Sequence, residues 1–392
     1  MKMQSYARGL ALLILLIIPF SAMAREPLLS AGGSFCYGID ASGTIWGWGD
    51  NTKGQLGNGT KKRAFLPQEA AVGLDGNAVI AIDCGNENAL FLLEDGTVWT
   101  CGPNNYGQQG TAEAGSYVYE PIRIPGLENI VQISSGWGHC MARDAEGHVY
   151  AWGRNTGGQV GNGTTKNVQT PCLLSLEGIV DIECGGKFSL AVDNLGRLWG
   201  WGENDQGQLM DTGRKAKVTE PMLMSTDFPI REIACGGSTA YALSEDGTVY
   251  AWGRNDFWQL GIKKGNSSKV PVRVELPEKL VISDVLAYNT HATALTEDGG
   301  YWTWGMTRCG QLGNGKHPSK SLPTDCEIGA KVLLASMGSS GSYIMKEDGT
   351  VWADGYGEVG QTGAYPAKVG YVYTWKWTGL NLLESTLGDP KN

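Results

Sequence analysis

The feature that most constrains this chain is a period. The stretch Asp246-Gly247-Thr248-Val249-Tyr250-Ala251-Trp252-Gly253-Arg254-Asn255, followed by Gln259-Leu260-Gly261, occurs seven times in degraded copies. The glycines that open the copies are Gly43, Gly96, Gly147, Gly196, Gly247, Gly299 and Gly349, spaced by 53, 51, 49, 51, 52 and 50 residues. Units of this size cannot each bury a core alone, and stacked neighbours do so together. One closed array therefore outranks the two average domains that 392 residues would otherwise suggest.

Each unit has one grammar. An apolar run ending in Gly, such as Ile182-Glu183-Cys184-Gly185, reads as a first strand, A. A turn and an alternating run, such as Ser189-Leu190-Ala191-Val192, give strand B. A polar-Gly pair, clearest at Asp95-Gly96, Asp246-Gly247, Asp298-Gly299 and Asp348-Gly349, predicts a two-residue hairpin turn with φ > 0 at both central residues. Strand C carries aromatics in two slots two residues apart, as in Trp46/Trp48 and Tyr250/Trp252. Such residues share one strand face. Recurrence in every unit marks them as packing between sheets rather than a carbohydrate platform. The turn Asn51-Thr52-Lys53-Gly54-Gln55-Leu56-Gly57 and its copies use Gly for positive φ. No Lys-Ser/Thr and no helix follow it, so it is not a phosphate loop. A Pro and a short outer strand D end the unit. The fold class expected is all-β, a seven-bladed β-propeller of four-stranded antiparallel blades closed by its terminal strands. Tyr371 to Leu383 reads as surplus to unit 7 and as a closing strand over residues 371–383 that pairs with the first or last blade, the alternative being a partner-binding tail.

The first 24 residues are a separate object. Lys2 and Arg8 precede an apolar run from Leu10 to Ile18, Pro19 breaks it, and Ala22-Met23-Ala24 fits a cleavage site. The run is short for a span of about 20 residues. We expect a signal peptide over residues 1–24, cleaved after Ala24, and a single propeller over 25–392 that is secreted, periplasmic or on a cell surface. Losing residues 1–24 removes Lys2, Arg8 and no acid, so the net charge moves from −9 to −11. That charge argues against a nucleic-acid partner. The nine cysteines include Cys84, Cys184 and Cys235 at one repeat position, which reads as a small buried residue. Cys309 and Cys326 are the pair left open for a disulfide. No C-x-x-C or Cys/His cluster has metal spacing, so neither metal nor cofactor is expected.

The pattern Cys-Gly…Ala-Leu…Asp-Gly-x-Val-Tyr/Trp-x-Trp-Gly-x-Asn-x-x-Gly-Gln-Leu-Gly resembles the repeats of the regulator of chromosome condensation family, here in an exported, bacterial-type form. The resemblance covers roughly residues 28–383 and implies the same seven-bladed propeller. The founding member's chromatin and small-GTPase exchange functions transfer less well. The unit spacings leave no room for the wedge that exchange uses, and charge and export oppose a chromatin role. Exported propellers of this type resemble binding modules.

Strand order puts the A–B and C–D turns on one face of the ring and the B–C turns on the other. Three departures from the repeat fall on the first face. Trp137 sits in the A–B turn Gly136-Trp137-Gly138-His139. Phe257 and Trp258 occupy the fifth C–D turn, Trp258 in a slot that is Gly in the other six units. Tyr106 takes the slot of Phe257 in unit 2. Aromatics in turns, off the packing pattern, are the best candidates for a partner interface. His139 and His291 share a position and read as an inner hydrogen-bonding residue rather than a catalytic pair. No nucleophile–base set stands out, and the chain reads as a monomeric, non-enzymatic module for an unknown protein ligand. The alternatives are a glycan-binding surface protein and an exchange-factor-like effector of a small GTPase.

Overall fold

The computed structural model describes residues 25–388, apart from 113–115, 212, 214–215, 316–319 and 365–369. The expected signal peptide lies outside the described residues. Seven antiparallel sheets follow one another, and in each the strands pair in the order they leave the chain. Blade 3 is typical, with Ile130–Ser135, His139–Asp144, Val149–Gly153 and Val168–Leu173 as strands A to D. The seven-bladed propeller is thus the fold.

Alternation places the aromatics as expected. The second strand-C slot holds Trp48, Trp152, Trp201, Trp252 and Trp304, all fully buried between blades. Four of these indoles donate to a glutamine carbonyl in the preceding blade's C–D turn: Trp152 to Gln108, Trp201 to Gln159, Trp252 to Gln208 and Trp304 to Gln259, at 2.9–3.0 Å. The same glutamine brace their own turns, as where Phe257 N–H donates to Gln259 Oε1 at 2.8 Å. The second-slot tryptophans therefore serve to join blades, while the first-slot aromatics, such as Trp46 and Tyr250, are half-buried.

Three expectations need correction. The B–C turn is a three-residue loop with one left-handed position, not a two-residue turn with two. Gly247 has φ 85°, its N–H donates to Ser244 O, and Ser244 N–H donates to Thr248 O, while Asp246 is not left-handed. Asp246 Oδ1 instead accepts Thr248 N–H at 2.9 Å, which fixes the aspartate without positive φ. Second, the unit prolines lie inside strand D rather than before it, as Pro271 does in Ser267–Arg273. They sit on the outer edge, where the register slips between Ala251 and Gly253 and no N–H is needed. Third, the tail is not surplus. Tyr371–Asn381 is the fourth strand of blade 7 itself, paired with Thr350–Tyr356.

The ring closes by contact rather than by strand exchange. In four of the seven joints a side chain near the end of strand A latches to the next blade. Cys84 N–H donates to Ser30 Oγ, Ser135 N–H to Asp83 Oδ2 and Cys184 N–H to Ser134 Oγ. Ala31 N–H donates to Ser336 Oγ at 2.8 Å, which joins blade 7 to blade 1 by the same bond. Beyond the tail strand, Ala41 N–H donates to Leu382 O at 2.8 Å, and Leu380 and Leu382 are buried in the blade 1 core.

Blade 7 departs from the code. Asp354 stands in the tryptophan slot and is fully buried. Its Oδ1 accepts Ser342 N–H at 3.0 Å, and burial pushes its carboxyl well above the usual range. Trp375 of the outer strand turns in beside it and packs edge-on to Tyr301 at 5.5 Å. A blade that lacks the second of its two strand-C aromatics thus recruits an indole from strand D.

Candidate functional site at the channel mouth and the rim

The departures divide into two groups on the A–B/C–D face. The inner group begins with the glycine that ends strand A. At Gly136 a Cβ would lie 2.2 Å from Gly185 O of the next blade, so the close approach of neighbouring turns excludes a side chain. Blade 6 breaks this rule. It has Tyr288 where the other six have Gly, its strand A runs through Ile282–Tyr288, and Asn289 takes the turn with φ 52°. Tyr288 and Trp137 both line a cavity of about 90 Å³ on the ring axis, to which all seven blades contribute. Trp137 is half-buried and reaches over two further blades, its ring against Gly186 and Gly237. It folds down onto the channel mouth and is not a free anchor.

The outer group lies on the C–D turns. Trp258 has φ 61°, a left-handed conformation in a slot that six blades fill with Gly. For a bulky residue that conformation costs about 1–2 kcal/mol. The ring is partly exposed, with Lys320 Nζ 4.6 Å and Lys263 Nζ 5.9 Å from its centroid. Phe257 beside it has the Arg254 guanidinium 6.0 Å from its ring, and Arg254 pairs with Asp256 at 2.6 Å. Lys263 and its neighbour Lys264 are exposed. On an acidic protein this is a local basic and aromatic rim. Tyr106 lies apart, over Gly138, with Arg154 5.0 Å from its ring. The structure therefore brings Phe257 and Trp258 together and leaves Tyr106 and Trp137 elsewhere on the face. Tyr288 was missed by turn-based reasoning because it ends a strand; its signal was the broken glycine.

The histidines are structural. His139 Nε2 lies 3.0 Å from Ser189 Oγ of blade 4, and His291 Nε2 lies 3.5 Å from Ser342 Oγ of blade 7. Burial lowers both imidazoles to about 3, so they are neutral at physiological pH. They sit in different blades and form no pair. Nine free cysteines are present, six of them buried. The open pairing of Cys309 with Cys326 is not made; Cys326 Sγ instead lies 3.1 Å from Leu312 O. Burial pushes the Cys101 and Cys140 thiols up to about 12, where they are inert. Among the described residues, the group close enough to share a metal ion is Asp144, Glu146 and His148, with ligand atoms within 4.8 Å. Asp144 already accepts Glu146 N–H, His148 N–H and His148 Nδ1 at 2.9–3.0 Å, which is the work of a hairpin turn. No helix among the described residues is long and apolar enough to cross a membrane.

A ring of four-stranded repeats with substitutions gathered on one face defines a repeat propeller. An RCC1-like domain model matches residues 73–371, and regulator of chromosome condensation (RCC1) repeat models match residues 42–92 and 28–55. The chain belongs to the RCC1-repeat family. It is 32% identical over 362 residues to the human E3 ubiquitin-protein ligase HERC2, covering 87% of this chain and 7% of that protein. It therefore spans only a small part of that relative's length. It is 29% identical over 345 residues to the ultraviolet-B receptor UVR8 of Arabidopsis thaliana, covering 86% of this chain and 78% of the receptor. Yeast RCC1 (Prp20), solved bound to Kap60, superposes with a TM-score of 0.77 at 24% identity, covering 85% and 83% of the two chains. That likeness concerns the fold.

Proposed function

We propose that this chain is an exported, non-enzymatic, monomeric module that binds another protein through its A–B/C–D face, with Trp258 and Phe257 as anchors. The observation that carries the reading is Trp258 itself. A partly exposed indole is kept in a left-handed turn where glycine would remove the strain. Local strain of this kind collects at binding and switching sites, and tryptophan dominates interface energetics. The surrounding lysines favour an acidic partner surface. A family member solved with a bound protein supports the use of such a propeller as a docking scaffold. Export follows from the apolar run and Ala22-Met23-Ala24, and N-terminal sequencing of the purified protein should begin at Arg25.

Trp258→Gly provides the test, because it restores the repeat code while deleting the anchor. We expect unchanged or higher thermal stability and a loss of partner affinity of about 30-fold, the cost of about 2 kcal/mol typical of a hot spot. The partner is identified by capture on residues 25–392 and mass spectrometry. Full retention of that partner by the Gly variant would remove Trp258 from the interface. Capture of a small GTPase whose nucleotide release is accelerated would replace this reading with the exchange-factor one.

A further inference from the structure

The axial channel is built for more than closure. Below the small cavity at the A–B mouth, a second of about 410 Å³ runs toward Arg25 and Pro27 at the other end. The two share Ser30, Asp83, Glu183, Leu286 and Ser336 in their walls, so they are successive lengths of one channel. The lower length has Ile82, Ile133 and Leu286 in its walls, beside Gln132 and Asp284, with Arg25 and Glu26 at its far end. The junction carries the carboxylates of Asp83 and Glu183 from blades 2 and 4. The upper end is covered by two aromatic residues, Trp137 and Tyr288, both departures from small residues of the repeat.

The Tyr288 hydroxyl is the second observation. It is buried and has no hydrogen-bond partner, although its ring lies at the channel mouth. Asp83, Cys84 and Glu87, from blade 2 across the ring, are the ionisable groups that act on it. A buried hydroxyl without a partner costs free energy that a bound donor would recover. The channel carboxylates do not form a compact metal cage, since no three acidic, thiol or imidazole ligand atoms there come within 4.8 Å of one another among the described residues. Two carboxylates at the junction, with aromatic rings above and aliphatic side chains below, match a cation carrying its own apolar arm.

We propose that the axial channel is a binding site for an aliphatic ammonium ion. The ammonium head sits between Asp83 and Glu183 and donates to the Tyr288 hydroxyl oxygen. The Trp137 ring at the mouth supplies cation–π attraction. The alkyl arm lies along Ile82, Ile133 and Leu286. This site is independent of the rim at Trp258, and neither reading rests on the other.

The experiment is calorimetric titration of residues 25–392 with n-butylammonium chloride, with n-butanol and potassium chloride as controls. We expect one saturable site for the ammonium and none for butanol or potassium. Tyr288→Phe keeps the ring and removes the hydroxyl; it should weaken binding about tenfold, the worth of one hydrogen bond to a charged group, with an unchanged or higher melting temperature. Glu183→Gln should weaken it by at least as much. Absence of ammonium binding, equal binding of butanol, equal competition by potassium, or unchanged affinity in Tyr288→Phe would each overturn the proposal. The Tyr288→Phe result stands alone if Glu183→Gln fails to fold.

Discussion

The two buried histidines make the ring sensitive to mild acid, by an amount that the structure sets. In the native protein His139 and His291 are lowered by burial to about 3 from an ordinary 6.5. The unfolded chain therefore binds these two protons through the whole interval in which the folded ring refuses them. Stability is complete above about pH 6.5, falls as pH drops through 6.5, and goes on falling to about 3. At pH 5 the gap in proton binding amounts to about 1.5 pH units for each histidine, or about 2 kcal/mol at 1.36 kcal/mol per unit. Both imidazoles are fully buried, so solvent screening does not reduce this. Two histidines together remove about 4 kcal/mol, a large share of the 5–15 kcal/mol of an ordinary domain. Urea unfolding at pH 7 and pH 5, followed by tryptophan fluorescence, measures the difference. Carboxylates contribute their own pH dependence, so the comparison is with His139→Gln and His291→Gln. Each should shrink the pH 7 to pH 5 loss by about 2 kcal/mol. An identical loss in wild type and both variants would refute the assignment of acid sensitivity to these side chains.

Three further outcomes follow from the packing. Asp354→Asn should make the protein less sensitive to alkali. Burial raises this carboxyl well above 3.8, so its contribution is lost as pH rises from about 3.8 toward the folded value, and the part of the urea-midpoint profile that falls with rising pH should be smaller in the variant. Trp252→Ala removes a fully buried indole and its bond to Gln208 O, and should cost about 3–5 kcal/mol by chemical denaturation. Titration with a thiol reagent should reach Cys172, Cys309 and Cys326 first in the native protein and all nine thiols after unfolding; fewer than nine would reveal a disulfide.

The period carried the architecture because the bonds that recur in each blade are made by residues that recur in each unit. Asn, Gln, Trp and Gly were all readable as turn and packing code, and Trp252 to Gln208 O is what that code does. The errors were of two physical kinds. A turn type depends on the sign of one dihedral, and Asp246 satisfies its turn through a carboxylate rather than through φ. The replacement of the blade 7 indole by Trp375 depends on what lies across the sheet, which no spacing reports. For the site, Trp258 was visible as an indole in a glycine slot. Trp137 was visible too, but its fold onto blades 4 and 5 was not, since its neighbours come from units about 50 and 100 residues away. Tyr288 broke an equally regular glycine and was passed over because it sits in a strand.

The latch from Ser336 to Ala31 has a consequence for covalent order. The joint between blades 7 and 1 uses the same donor and acceptor positions as the joints among blades 1 to 4, yet no peptide bond crosses it. Ser42 N–H even meets Ser385 Oγ at 3.1 Å, which holds the tail against the first blade. The polymer is linear, but its joints make a circle in which no boundary is privileged. Joining residue 388 to residue 25 through a linker long enough to reach from the outer hairpin of blade 7 to the channel, and opening the chain between blades 3 and 4, should leave the same ring, with only the location of its ends changed.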